Sequence, residues 1–436
     1  MFQHLPSADP YLDGHGDRSY GVDHYDLDLA YVPDGNRLRG TARLDLVLHE
    51  ETARIVLDLA RLTVDKVRLE GARIRKWSTR GDRFVVQLDR EHPAGTQLGL
   101  TLGYGGTPQP TVDRHHGDAG WEELEDGVIV AAQPHGAPSW FPCNDRVDDK
   151  ASYRITMSAP AGYTVVANGL LVDRRRSASS ETWTWLMDQP MAPYLATMQI
   201  GRYRATEHAT EPPLVTFAPS DADLSGSFDQ QAAMMHYFEH VFGPYPFESY
   251  TAVVTDDELE IPLESQSLST FGRNFLSTDW SRVRLIAHEL AHQWFGNAVT
   301  YARMQDIWLH EGFACYSEWL WSEESDGPHS CDEWARHHHD KLDGLDLDVT
   351  LADPGAEQMF DDWVYKRGAL TLHALRLHVG DAAFFDVLRG WVAEHAGGSV
   401  TTEDFLAFAA ERTGEDVATL LHPWLYDAAL PPYPED

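Results

Sequence analysis

The segment SRVRLIAHELAHQWFGN (281–297) carries the clearest chemistry of the chain, with His288, Glu289 and His292 in an HExxH pattern. On an α-helix, residues four apart lie on one face, about 6 Å apart along the axis, so both imidazoles can bind one tetrahedral metal ion. Glu289 follows the first histidine and can reach a water on that metal as general base. The pattern therefore predicts a zinc-dependent hydrolase.

The surroundings of this motif favour a metal over two ordinary core histidines. Apolar side chains occur on nearly every side of the predicted helix, which is typical of a buried helix. An ionised Glu289 buried there is costly unless a cation compensates its charge. Two histidines without a metal would leave that carboxylate unexplained.

A second apolar helix, predicted over 308–324, supplies the third ligand. Its first acidic residue is Glu311, nineteen positions after His292, and Gly312 beside it lets another backbone approach closely. Glu318, on the same helical face, and Asp306, just before the helix, are candidate partners of a zinc-bound histidine, with capping or solvated roles open for both. Two histidines and one glutamate leave a fourth position for water, the arrangement of a catalytic zinc.

The elements that must position these residues change in character along the chain. Apolar and polar residues alternate in segments such as 24–32, 43–50 and 83–89, which predicts half-buried strands separated by turns. Helical spacing dominates the later part of the chain. We therefore expect an α+β protein of two domains: an antiparallel β-sandwich or saddle over 1–204 and a mostly helical catalytic domain over 205–436.

Composition narrows the choice of partners. The 436 residues include 69 acidic and 34 basic ones, for a formal net charge of -35, which argues against binding to nucleic acid or anionic membranes. The acidity could attract peptides with a free amino terminus. Three cysteines without CxxC spacing, no visible signal peptide and no apolar run of about 20 residues lead us to expect a cytoplasmic protein that does not enter membranes.

HELAHQWFGN, followed eighteen residues later by the glutamate of HEGFA, resembles peptidase family M1, the aminopeptidase N-like gluzincins. Segments 133–160 and 364–376 are similar to further parts of that family, so the likeness extends over most of the chain. It implies a thermolysin-like catalytic domain, one zinc ion per chain and zinc aminopeptidase activity. The chain leaves little room for the helical-repeat domain that often ends such enzymes, so we expect a short, two-domain form. We also expect a monomer.

The resemblance also implies roles for single residues. The family's GxMEN stretch corresponds to IPLESQSLSTF (261–271), which would place the residue that binds the substrate's α-ammonium at Glu264. The match departs from the family at three positions, which are Ile261, Leu263 and Ser265. Gln133 corresponds to a residue that lines the amine pocket.

A tyrosine of this chain matches the family pattern, whereas two other residues differ from it. Tyr365 stands where the family has a tyrosine that donates to the oxyanion of the tetrahedral intermediate, with Arg367 where lysine is usual. His310 stands where asparagine is usual, next to the predicted zinc ligand Glu311.

The predicted reaction is hydrolysis of the first peptide bond, in which Glu289 acts as general base on a metal-activated water and Glu264 sets the register at one residue. Three alternatives remain open. A thermolysin-like endopeptidase would share the zinc site, and an epoxide hydrolase also occurs on this scaffold. A non-catalytic peptide-binding homologue is the third.

Overall fold

A computed structural model of the chain describes residues 8–345 and 348–434. Its first half consists mainly of strands. In chain order these are β1 (Tyr20–Val32), β2 (Arg37–Leu48), β3 (Thr52–Asp58), β4 (Thr63–Glu70), β5 (Ile74–Arg80), β6 (Arg83–His92), β7 (Gln97–Gly106), β8 (Thr111–Asp113), β9 (Gly117–Leu124), β10 (Gly127–Ala131), β11 (Ala151–Pro160), β12 (Thr164–Ala167), β13 (Leu170–Arg176), β14 (Ser180–Met191) and β15 (Met198–Gly201).

These strands form three sheets, in the orders β13-β14-β11-β1-β2-β7-β4, β3-β6-β5 and β12-β15-β10-β9-β8. Buried and exposed residues alternate along β2, as the period-two pattern predicted. Neighbouring strands are antiparallel except β1 and β11, which run parallel with His24 opposite Ser152. The expected antiparallel first half is confirmed, with this single parallel pair as the difference.

The second half begins with short strands and continues mainly as helices. The strands are β16 (Arg204–His208), β17 (Leu214–Ala218), β18 (Tyr250–Val254), β19 (Leu263–Ser265), β20 (Leu268–Phe271), β21 (Thr300–Tyr301) and β22 (Ser399–Val400). The helices are α1 (Gln231–Phe242), α2 (Trp280–Ala291), α3 (Trp308–Glu324), α4 (Cys331–Asp343), α5 (Asp362–Val379), α6 (Asp381–His395), α7 (Thr402–Thr413) and α8 (Val417–Tyr426).

A mixed sheet in the order β16-β17-β18-β20-β19 carries the strand with Glu264 at its edge. Along the described part of the chain, none of the helices is both long and apolar enough to span a membrane.

Helix α2 is shorter than the apolar pattern over 281–297 indicated. It ends at Ala291, and His292 forms its C-cap with helical backbone angles. The chain then turns through Gly296, whose φ of +127° is a conformation that a helix cannot continue. His292 therefore keeps helical spacing to His288 while the following residues leave the helix axis.

Helices α3 and α5 approach each other very closely at two glycines. A Cβ atom added to Gly312 would lie 2.7 Å from the Cα atom of Gly368, and the same distance separates a Cβ on Gly368 from the Cα of Gly312. Only two residues without side chains permit this contact. The contact brings Glu311 on α3 and Tyr365 on α5 to the same site.

Candidate active site

Three buried side chains converge on one point: His288 from α2, His292 from the C-cap of α2, and Glu311 from α3. Nε2 of His288 lies 3.4 Å from Oε2 of Glu311, and Nε2 of His292 lies 3.5 Å from the same oxygen. Two atoms at about 2.05 Å from a tetrahedral zinc ion are about 3.3 to 3.4 Å apart. Both separations match those at a single zinc ion, and all three potential ligand atoms lie within 4.8 Å of one another.

Each histidine is oriented by a hydrogen bond at its other ring nitrogen. Nδ1 of His288 lies 2.7 Å from Oε1 of Glu318, and Nδ1 of His292 donates to the Phe295 carbonyl at 3.1 Å. Arg284 donates to the second oxygen of Glu318 at 2.7 Å. Such contacts fix the tautomer in which Nε2 is free to bind a metal.

The sequence offered two carboxylates for this orienting contact, and the structure uses one of them. Asp306 accepts hydrogen bonds from the backbone and hydroxyl of Thr402 and from Arg303, so it ties α7 to the start of α3. Of the two roles left open for Asp306, the structure therefore shows the capping one, at the start of α7, and not that of a partner of a histidine in the cluster. Arg284 was not among the predicted site residues, although its spacing of four from His288 places both on one helix face.

The pKa values of the carboxyl groups in the site are shifted in opposite directions. Burial alone would raise the pKa of Glu311, but His292 and His288 hold it well below its usual range, so this side chain stays ionised. Burial raises the pKa of Glu289 to about 8, with the neighbouring Glu264 adding to the rise and His288 opposing it. Among the described residues, Oε2 of Glu289 has no hydrogen-bond partner. An unsatisfied carboxylate oxygen beside three metal-ligand atoms fits a site that holds a cation and water.

Glu264, on β19, lies close enough to these groups to interact with His292 and Glu311. Its side chain is buried, and Nε2 of Gln133 donates a hydrogen bond to Oε1. Burial raises the pKa of Glu264, while His292 lowers it and Glu311 raises it further. The structure thus brings Gln133 and Glu264 together beside the histidine–glutamate cluster.

Tyr365 completes the site from α5. Its ring is stacked on that of His288, with ring centroids 6.0 Å apart and an interplanar angle of 19°. Burial and the nearby carboxylates of Glu311 and Glu264 raise the pKa of this phenol well above its ordinary value. The hydroxyl therefore remains protonated and can act as a hydrogen-bond donor.

The site opens into a cleft of about 620 Å³ that is lined by Gln133, Leu263, Phe360 and Tyr365. Its wall also carries five acidic side chains, which are Asp118, Glu122, Glu260, Glu357 and Asp361. A cleft of this size accommodates a small ligand or the end of a peptide.

Comparison with known proteins identifies the family. The peptidase family M1 domain matches residues 227–424, and the peptidase M1 N-terminal domain matches residues 22–195. The crystal structure of the M1 zinc metallopeptidase from Deinococcus radiodurans superimposes with a TM-score of 0.88 at 31% sequence identity, over 98% of this chain and 99% of that one. The chain belongs to peptidase family M1.

Other members of the family are more distant and longer. Aminopeptidase M1-A of Oryza sativa is 25% identical over 93% of this chain, and aminopeptidase N of Streptomyces lividans is 25% identical over 94%. This M1 chain spans about half the length of these curated relatives. Related two-domain structures are described as bound to L-arginine and to L-tryptophan, at a TM-score of 0.89 and 31% identity each.

Arg367, which departs from the M1 pattern, has a structural role in this chain. The guanidinium group is buried and donates hydrogen bonds to five backbone carbonyls at the end of α8 and just beyond it, those of Pro423, Trp424, Asp427, Ala428 and Ala429. A lysine ammonium, with three donors, could not reach all five.

The other departure, His310, accepts the backbone N–H of Tyr301 at Nε2, at 3.0 Å. It therefore holds the loop after the HExxH helix rather than contributing an atom to the histidine–glutamate cluster.

Proposed function

We propose that this chain is a zinc aminopeptidase that removes the first residue of peptides with a free amino terminus. In this proposal His288, His292 and Glu311 hold one zinc ion per chain. The observation that carries it is the pairing of two features in one buried site: a ligand set with zinc spacing, and Glu264 beside it as an anchor for an ammonium group.

Zinc at this position would polarise the scissile carbonyl and make its bound water acidic. Glu289 takes a proton from the attacking water at its unpartnered Oε2 and returns it to the leaving amine. A pKa raised by burial suits a carboxyl that must hold a proton between these two transfers. The Tyr365 hydroxyl, which stays protonated, donates to the oxyanion that develops on the carbonyl oxygen.

Glu264 binds the α-ammonium of the substrate, and Gln133 orients that carboxylate through its hydrogen bond. Because Glu264 is buried, an ion pair made there is stronger than one in water. An endopeptidase would have no use for a buried carboxylate at this place. This argument favours an exopeptidase over the thermolysin-like alternative.

The remaining alternatives have less support. The full set of Glu289, Tyr365 and three ligand residues argues against a non-catalytic peptide-binding protein. The curated relatives named above are called aminopeptidases, which disfavours an epoxide hydrolase.

The test uses aminoacyl fluorogenic amides with a free or an acetylated amino group, assayed with and without a chelator. We expect turnover only of the free amine, and its loss on chelation. Glu289→Gln should lower kcat by about a thousandfold or more while the protein retains one zinc ion, since only the proton acceptor is removed. Glu411→Gln, an exposed change on α7, is the matched control. Unchanged turnover in Glu289→Gln, or equal turnover of the acetylated substrate, would contradict the proposal.

We also propose that the chain divides into domains at 1–204 and 205–436, and that it acts as a cytoplasmic monomer without nucleic-acid or membrane partners. The start of β16 at Arg204, in a sheet made otherwise of later strands, supports a division near this residue. Limited proteolysis and light scattering test the division and the oligomeric state.

A further inference from the structure

The turn that follows Glu264 is held by the side chain of the residue next to a zinc-ligand histidine. Strands β19 and β20 form a hairpin whose tight turn contains Gln266 and Ser267, and Ser267 has a φ of +61°. Oε1 of Gln293 accepts the Ser267 N–H at 2.7 Å, and its Nε2 donates to the Ser265 carbonyl at 3.2 Å. One carboxamide thus spans both sides of the turn.

A second side chain from the same part of the chain strengthens this attachment. Nδ2 of Asn297 donates to the Ser265 carbonyl at 3.2 Å. Gln293 and Asn297 are both fully buried, and Gln293 follows His292 directly in the chain. The end of the HExxH segment is therefore joined to the turn after Glu264 by three buried hydrogen bonds, two to the Ser265 carbonyl and one from the Ser267 N–H.

The first half of the chain holds the opposite side of the same turn. Nδ2 of Asn168 donates to the Gln266 carbonyl at 2.6 Å, and the Gly169 N–H donates to the Ser267 hydroxyl at 2.7 Å. Both contacts are to the turn itself. The hairpin is thus fixed between two rigid partners and cannot shift along its length without breaking several buried hydrogen bonds.

We propose that Gln293 is a positioning residue that fixes the distance between the Glu264 carboxylate and the metal ligands. In an exopeptidase this distance decides how many residues fit between the bound amine and the cleaved bond. The inference rests on the proposed function, because it assigns Gln293 a part in the one-residue register of that reaction.

The chemistry of the carboxamide supports this role over simple core packing. A fully buried amide is costly unless its donors and acceptor are paired, and an apolar side chain of the same size would fill the space without that cost. Gln293 instead pairs its acceptor and a donor with the two peptide groups that flank the turn. Methionine has nearly the same shape but neither polar group. Gln293→Met therefore removes the hydrogen bonds of Gln293 to Ser265 and Ser267, which we call the brace, and keeps the volume of the side chain.

The test separates amine binding from metal binding with two inhibitors, leucine hydroxamate and N-acetyl-leucine hydroxamate. Both present the same metal-chelating group, and only the first has the amine that Glu264 would bind. In the wild type we expect the free amine to bind more tightly. In Gln293→Met we expect its inhibition constant to rise about tenfold, the scale of a misaligned charge-assisted hydrogen bond, while that of the acetylated compound changes less than about twofold.

Two further variants keep the test decisive. Gln231→Met is the matched control, because Gln231 is also fully buried and its Nε2 donates two hydrogen bonds to residues outside the hairpin, Thr216 and Phe228. The quantity to compare is the inhibition constant of the acetylated compound divided by that of leucine hydroxamate. Gln231→Met should leave this ratio unchanged. Asn297→Ala removes one of the three bonds and should lower the ratio less than Gln293→Met does, which tests the brace even if Gln293→Met fails to fold.

Three results would each carry a definite meaning. An unchanged ratio in Gln293→Met and Asn297→Ala would overturn the role of Gln293. An equal weakening of both inhibitors would overturn it too, because the metal site rather than the amine anchor would then have moved. A wild type that binds both compounds equally would instead refute the proposed amine anchor at Glu264, and so the two failures are distinguishable.

Discussion

Substitution Gly312→Ala tests whether the close contact of α3 and α5 builds the active site. The new Cβ would lie 2.7 Å from the Cα of Gly368 and 2.8 Å from its carbonyl carbon. Carbon atoms in contact are about 3.5 to 4.0 Å apart, so the two helices must separate by about 1 Å. Because the atoms that the new Cβ would meet belong to the backbone of Gly368, no rotamer change can relieve the clash.

The separation should have a moderate effect on stability and a larger one on activity. Overpacking of a core contact costs about 1 to 3 kcal/mol, which in a domain of this size lowers Tm by about 2 to 12 °C. Glu311 precedes the clash by one residue on α3, and Tyr365 lies three residues before Gly368 on α5. A shift of about 1 Å between such groups can lower kcat/KM by about a hundredfold.

The assay combines calorimetry, zinc content and kcat/KM on an aminoacyl amide. Gly344→Ala is the matched control, since Gly344 ends α4 with a φ of -82° and, among the residues that the structure describes, its added Cβ would meet only the Lys341 carbonyl oxygen at 3.7 Å. If Gly312→Ala has the same Tm and the same kcat/KM as Gly344→Ala, the close contact of α3 and α5 does not build the active site.

Three more changes each alter the polar contacts of one side chain. Glu318→Gln should weaken zinc about tenfold to a hundredfold, measured by competition with a chelator, because the carboxylate no longer orients His288. Arg367→Lys should lower the free energy of unfolding by about 2 kcal/mol in denaturant titrations, since a lysine cannot replace five hydrogen bonds. Burial lowers the pKa of His15, but its ion pair with Asp145 outweighs this and raises the pKa to about 9. The stabilisation is thus complete below about pH 6.5 and lost as pH rises through 9, so His15→Asn should lower Tm more at pH 6 than at pH 9.5.

The parts of the site that the sequence could predict depend on local spacing. His288 and His292 share a face because a helix repeats every 3.6 residues, whatever the rest of the chain does. The helix of Glu311 was also predictable, and its bounds agree with the apolar segment 308–324. Gly312 indicated a close backbone approach, although the sequence could not name Gly368 as the partner.

Contacts between distant segments could not be predicted from spacing. β1 and β11 pair in parallel although more than a hundred residues separate them, and no turn signal links two such strands. Asp306 and Glu318 were equivalent candidates in the sequence, because each is a carboxylate close to the Glu311 helix. Only the direction of the side chains separates them: Glu318 points at His288, whereas Asp306 points at Thr402.

The altered stretch around Glu264 shows why a weak motif can leave a site intact. The brace from Gln293 contacts the carbonyl of Ser265 and the N–H of Ser267, which are backbone groups that any residue provides. Ile261 is largely exposed at the mouth of the cleft. Changes of side chain at 261, 263 and 265 can therefore alter what the cleft prefers without moving the carboxylate of Glu264. The geometry of such a site depends less on the residues of the motif than on the polar side chains that hold its backbone.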